Sequence, residues 1–131
     1  GLGLSIACLD TSVKYAKGRP EFGSPLASYQ ITMQKFTEMA IRIEALRGLV
    51  YKSAWLVDSG KPDFTLAAMA KYYSGQTAVF CANAAVEIHG GYGYMEEYSV
   101  QKWYRDAKIL ELYEGTKEAE IMTIGRVLQS K

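Results

Sequence analysis

Residues 64–86 read FTLAAMAKYYSGQTAVFCANAAV, and Lys71 is the only charge among them. Ser74, Gly75, Gln76 and Asn83 interrupt the run, which is too polar for a lipid-spanning helix. A helix with almost no charge on any face belongs at the centre of a helical core. Ala70, Tyr73, Thr77, Phe80 and Ala84 recur on one face, so the pattern predicts a helix from about Thr65 to His89. Its many alanines predict close approach by neighbouring helices.

The flanking segments supply those neighbours. Upstream, a long helix is expected from about Ser28 to Ser59, with Met33, Phe36, Ala40, Ile43, Val50, Ala54 and Val57 as its stripe. Glu38 and Arg42 have the spacing of an outer-face ion pair, and Gly60 and Pro62 close the segment. Before it, Leu2 to Lys17 places Leu2, Ile6, Leu9, Val13 and Ala16 on one face and stops at Gly18. The linker RPEFGSPLAS cannot continue a helix. Downstream, the loop GGYGYMEEY precedes a short helix, about Val100 to Leu112. A last helix, about Thr116 to Leu128, carries Ile121, Ile124 and Leu128 as its stripe, with Thr116 as N-cap. No segment alternates with period two, so no sheet is expected. The reading is an all-α fold: an antiparallel up-and-down four-helix bundle with one additional short helix, residues 1–131 forming one domain.

Composition narrows the function classes. Fifteen basic against fourteen acidic residues, with no basic run, give no nucleic-acid footprint. A single histidine, His89, rules out a multi-histidine metal site within the chain. Cys8 and Cys81 lie outside any CxxC pattern and read as buried or free thiols of a reducing compartment. The chain begins at Gly1, already inside an apolar-periodic segment and without a visible signal peptide. An excised piece of a larger protein is the expected explanation.

Four local stretches have the residue types for chemistry, each with a plainer alternative. Arg19–Gly23, RPEFG, is either a turn with a solvated arginine or an anion clamp with Phe22 as an exposed anchor. Glu87–Tyr94, EIHGGYGY, is either a post-helix loop or a nest whose Gly90, Gly91 and Gly93 let backbone amides approach a phosphate. It lacks the Lys and Ser/Thr of a P-loop, and no strand precedes it as in a Rossmann fingerprint. Arg105 and Asp106 read most simply as an ion pair or as cap contacts between helices. In YEGT, Glu114 is either solvated punctuation or a base. Rigid helices fix its position, Gly115 gives access, and the helix starting at Thr116 favours an anion nearby. Tyr113 is placed to shield the carboxylate and raise its pKa towards the range a general base needs.

In order and spacing, YAKGRPEFGSPLASYQ (Tyr15–Gln30) and VEIHGGYGYMEEYSVQKWYRDAKILELYEGT (Val86–Thr116) resemble the C-terminal helical domain of the acyl-CoA dehydrogenase family. The likeness covers essentially the whole chain. It implies an FAD enzyme of fatty-acid β-oxidation that converts an acyl-CoA thioester to its trans-2-enoyl form. In the family a glutamate removes the α-proton while the β-hydrogen leaves as hydride to the flavin. The resemblance puts that base at Glu114; some members carry it elsewhere and have no acid here. Tyr113 and Gly115 are the implied substrate contacts. Arg19, Phe22 and Gln30 are implied to hold the pyrophosphate and adenosine of a neighbouring subunit's FAD, with Glu87 and Gly91 approaching the same dinucleotide. Thr116 and Glu118 fall where the last helix meets the cofactor. Glu87 replaces a typical glutamine and sets a negative charge near phosphates; Glu118 and Glu120 add more.

The resemblance further implies an electron-transfer flavoprotein as electron acceptor, a homodimer or homotetramer, and a bacterial cytoplasmic or mitochondrial matrix setting. Family enzymes also have an N-terminal helical domain and a middle β-domain that bind the isoalloxazine and much of the CoA. A chain without them is expected not to turn over alone, and to bind FAD weakly or not at all. Three alternatives share the scaffold. An acyl-CoA oxidase keeps the role of Glu114 and passes electrons to oxygen, whereas a flavin monooxygenase has no task for that carboxylate. A non-catalytic, self-associating bundle would use the ten tyrosines with Trp55 and Trp103.

Overall fold

The computed structural model describes residues 1–130. Five helices follow in order: α1 (Leu2–Gly18), α2 (Gln30–Asp58), α3 (Phe64–His89), α4 (Val100–Ile109) and α5 (Lys117–Gln129). The long helices build the bundle and α4 is the additional short one, as the sequence pattern predicts.

α3 is the axis, packing against α1, α2, α4 and α5. Ala78, Cys81, Ala82 and Ala85 are fully buried, with Ala68, Ala70, Ala84 and Ile88 nearly so. Burial thus runs round the helix, which is why it carries so little charge. Its small side chains let other backbones come close, and that closeness selects small residues opposite. On α1 the buried positions are Ser5, Cys8, Ser12 and Ala16. Of the expected stripe Ala16 is fully buried, whereas Leu2, Ile6, Leu9 and Val13 are only half-buried.

On α2 the expected face is kept in part, with Ile43 buried and Phe36, Ala40 and Val50 half-buried. Thr32, Met39, Ile43 and Leu46 are buried, while Met33, Ala54 and Val57 are exposed. α2 has 29 residues against 17 in α1, so it overhangs by about 18 Å at 1.5 Å per residue. Tyr51, Trp55 and Val57 stand on that overhang, and Phe64 lies beside it; all are exposed. The expected Glu38–Arg42 pair is absent. Arg42 turns inward and lies 4.1 Å over the Phe80 ring, because a half-buried guanidinium finds a desolvated aromatic face there. On α5 only Ile124 of the expected stripe is half-buried; Ile121 and Leu128 face outwards.

The linker contains a strand pair that the sequence pattern does not predict. β1 (Pro20–Glu21) and β2 (Ser24–Pro25) pair antiparallel, Pro20 opposite Pro25 and Glu21 opposite Ser24. Two-residue strands are too short to show alternation. Asp63 caps α3, its Oδ1 accepting from the Leu66 amide at 2.9 Å. Thr116 caps α5 as expected, accepting from the Ala119 amide at 3.3 Å. Asp106 pairs with Lys102 one turn back rather than with Arg105, since adjacent helical residues point apart. Cys8 and Cys81 are buried and unpaired in the core. Among the described residues, no helix is long and apolar enough to cross a membrane.

Candidate cofactor shelf and catalytic joint

The first cluster forms where α1 ends. Phe22 and Gly23 both have positive φ, +46° and +84°, the pattern of a tight two-residue hairpin turn. Glycine or asparagine is the usual occupant, and a left-handed phenylalanine costs roughly 1–2 kcal/mol. Its ring is 94% exposed, so nothing in this chain repays that cost. Arg19 sits at the base of the hairpin, 3.5 Å from Glu21 and with its guanidinium 5.3 Å from the Tyr92 ring centroid. Gln30 opens α2 and is exposed.

α3 delivers its C-terminal turn to the same place. His89 is buried, its Nδ1 donating to the Ala85 carbonyl at 2.8 Å and its ring stacked 4.1 Å from that of Tyr15. Burial lowers its pKa, partly offset by the bond to Ala85. The three glycines beyond it have different reasons. Gly90 has φ +59°, a left-handed turn. A Cβ on Gly93 would stand 2.5 Å from the Val86 carbonyl oxygen, so packing demands glycine. A Cβ on Gly91 would meet nothing within 4 Å. Internal packing gives Gly91 no reason, and it borders open space.

That space is a cleft of about 640 Å³ whose lining includes Arg19, Glu21, Glu87, Gly90 and Gly91. Glu87 is not a bare charge within it. Lys35 on α2 bonds its Oε2, and Asn83 donates to its Oε1 at 2.8 Å. These contacts hold the carboxyl below its usual pKa, Lys35 contributing most, and the lysine cancels its charge. A guanidinium, an unobstructed glycine edge and a compensated carboxylate suit the phosphate end of a dinucleotide such as FAD.

The second cluster is the α4–α5 joint. Leu110 and Glu111 lie against the middle of α3, where a Cβ on Gly75 would stand 3.0 Å from the Glu111 Cγ. Lys71 donates to the Leu110 carbonyl, and its Nζ stands 5.1 Å from the Tyr113 ring centroid. The Lys117 amide bonds back to the Glu111 carbonyl at 3.2 Å. Glu114 is held at φ +52°, followed by Gly115 at +102°, and its side chain is exposed. Tyr113 is half-exposed with its ring on the Lys71 side, so among the described residues it forms no hydrophobic wall that dries the carboxylate. Glu118 lies exposed in the first turn of α5.

The structure brings Arg19, Glu87 and Gly91 together, and separately gathers Tyr113, Glu114, Gly115, Thr116 and Glu118. It does not unite the groups in one groove. From Gly75 to His89 along α3 is fourteen residues, about 21 Å. Sequence reasoning missed Lys35, Lys71 and Gly75. The lone charge in an apolar helix was a signal for Lys71; nothing local marked Lys35.

Among the described residues, then, a helical domain offers a phosphate-suited shelf at one end of its central helix and an exposed, strained glutamate at a joint near the middle. Residues 1–129 match the model of the acyl-CoA dehydrogenase C-terminal domain, and the chain belongs to that family. A probable acyl-CoA dehydrogenase of Bacillus subtilis is 43% identical over 127 residues, 97% of this chain and 33% of that protein. The caffeyl-CoA reductase–Etf complex subunit CarC of Acetobacterium woodii is 39% identical over 130 residues, 99% of this chain and 34% of that protein. The solved butyryl-CoA dehydrogenase of Megasphaera elsdenii superposes with a TM-score of 0.96 at 44% identity, covering 98% of this chain and 33% of that one. The chain spans about a third of the length of the curated relatives it matches.

Proposed function

We propose that this chain is the C-terminal helical domain of an FAD-dependent acyl-CoA dehydrogenase and that Glu114 is the base taking the α-proton of an acyl-CoA thioester. The observation that carries the reading is Glu114 itself: a non-glycine residue in a left-handed conformation, solvent-facing, on a joint anchored from α3 and capped by Thr116. Strained residues persist where the surroundings over-determine them and cluster at functional sites. Family membership supports the same reading.

In the reaction, the Glu114 carboxylate accepts the α-proton as the C–H electron pair moves towards the thioester carbonyl. When bound, FAD supplies acceptance of the β-hydrogen with its electron pair. The α- and β-carbons are left joined by a double bond, trans-2-enoyl-CoA. Tyr113 and Gly115 flank the substrate, Gly115 giving it close access to the carboxylate. Water exclusion comes from outside the described residues, which supports a site completed by further domains.

The shelf serves a second role. Arg19, Phe22, Gln30, Glu87 and Gly91 hold the pyrophosphate and adenosine end of a neighbouring subunit's FAD; Thr116 and Glu118 meet the cofactor at the joint. The spacing of about 21 Å between shelf and joint supports separate duties, and exposed Phe22 supports a contact beyond this chain. Electrons pass to an electron-transfer flavoprotein, a partner supported by the Etf complex named for the Acetobacterium relative. The reductase in that name favours a second reading, the reverse direction, in which protonated Glu114 returns a proton to the α-carbon.

Glu114→Gln in the full-length flavoenzyme tests the base. Loss of α-proton exchange from the acyl-CoA with flavin content retained is expected; unchanged exchange overturns the reading.

A further inference from the structure

We propose that Lys71 is the positioning residue of the catalytic joint, holding the α4–α5 connection so that Glu114 keeps its left-handed, outward conformation. The inference rests on the reading of Glu114 as the base. Lys71 is the only charge between Phe64 and Val86, on the helix that supplies most of the buried core. A half-buried ammonium on a core helix is costly unless its donors are used. It spends one on the carbonyl of Leu110, at the C-terminus of α4, where a cation also meets the negative end of the helix dipole. Its Nζ lies 5.1 Å from the ring centroid of Tyr113, the residue next to Glu114. One turn along α3, the absence of a side chain at Gly75 admits Glu111 against the helix backbone. Lys71 thus ties both ends of a four-residue span, Leu110 to Tyr113, to the rigid axis of the fold. Glu114 follows directly, so its backbone direction is set from α3. Lys71 acts through the joint, by its contacts with Leu110 and Tyr113.

The test uses Lys71→Met, which keeps most of the apolar stem and removes the donor and the charge, beside Lys71→Arg, which restores both. In the 131-residue chain, amide hydrogen exchange at Leu112, Tyr113 and Lys117 is expected to rise about tenfold in Lys71→Met. Exchange at Met39 and Leu46 in α2 should stay unchanged, and Lys71→Arg should recover most of the protection. In the full-length flavoenzyme the same substitution should lower kcat by about ten- to a hundredfold with KM for acyl-CoA nearly constant and flavin retained. If Lys71→Met does not fold, Lys71→Gln, a shorter neutral donor, carries the same expectations. Unchanged exchange at the joint overturns the proposal. A loosened joint with undiminished turnover overturns the positioning role and leaves the base assignment untouched, whereas unchanged α-proton exchange in Glu114→Gln removes the base, so the two failures are distinguishable.

Discussion

Lys35 on α2 bonds the carboxylate of Glu87 on α3, at the edge of the arginine cleft, while Asn83 donates to the other oxygen at 2.8 Å. The contact changes what an acidic residue means there. A glutamate near phosphates should repel them, yet this one arrives with its own cation. Lys35→Met is therefore expected to weaken FAD binding by the full-length enzyme about three- to tenfold. The double variant with Glu87→Gln should recover most of the loss, which titration of the apoenzyme with FAD would measure.

The same pair has a pH signature. Lys35 and Asn83 depress the folded-state pKa of Glu87, so the pair contributes stability above the unfolded carboxyl pKa of 4.5 and loses it as pH falls through the lowered folded value. The Lys35 and Glu87 side chains are 30% and 48% exposed, which limits the gain to under about 1 kcal/mol at pH 7. Urea denaturation of wild type and Glu87→Gln should differ by that amount near neutrality and converge in strong acid.

Gly91 and Gly93 should separate function from packing. Gly93→Ala forces a Cβ to 2.5 Å from the Val86 carbonyl oxygen and is expected to cost about 1–3 kcal/mol in chemical denaturation. Gly91→Ala meets no atom and should change stability by less than about 0.5 kcal/mol, while weakening FAD binding in the full-length enzyme.

Glu114 should be bad for stability. Replacing it with glycine relieves the φ of +52° and is expected to raise unfolding free energy by about 1 kcal/mol in thermal denaturation, while abolishing α-proton exchange in the full-length enzyme. A glutamate that stabilised the joint would show the opposite sign.

The α1–α3 core contains two hydroxyls with no hydrogen-bond partner, Ser12 Oγ and Thr77 Oγ1. Ser12→Ala and Thr77→Val remove an unsatisfied group each at little cost in shape, and each should stabilise by about 1 kcal/mol. The neighbouring thiols are unreactive by burial, which pushes Cys8 up to about 12 and Cys81 to about 11. Iodoacetamide labelling at pH 8 should be slow in the folded chain and fast in urea.

The helices, the N-cap at Thr116 and the glycine-rich turn after α3 were legible in the sequence because each depends on local chemistry: periodicity, a hydroxyl before a helix, glycines after one; Lys35, Lys71 and Gly75 were not. The stripe on α1 was misplaced in all but Ala16 for a related reason. Hydrophobicity ranks side chains by their affinity for a core. Here the closest contacts go to Ser5, Cys8 and Ser12, because an alanine-rich neighbour leaves room only for small groups.

What the sequence by itself determined is that α3 is central, since a run nearly free of charge has no tolerable place at a surface-facing position along its whole length. What only the tertiary structure decided is where the exceptional charge goes and whom the surface charges meet. Lys71 reaches a carbonyl 39 residues away and Lys35 a carboxylate 52 residues away. Such partners are chosen by which backbones pack together, and no local pattern records that choice.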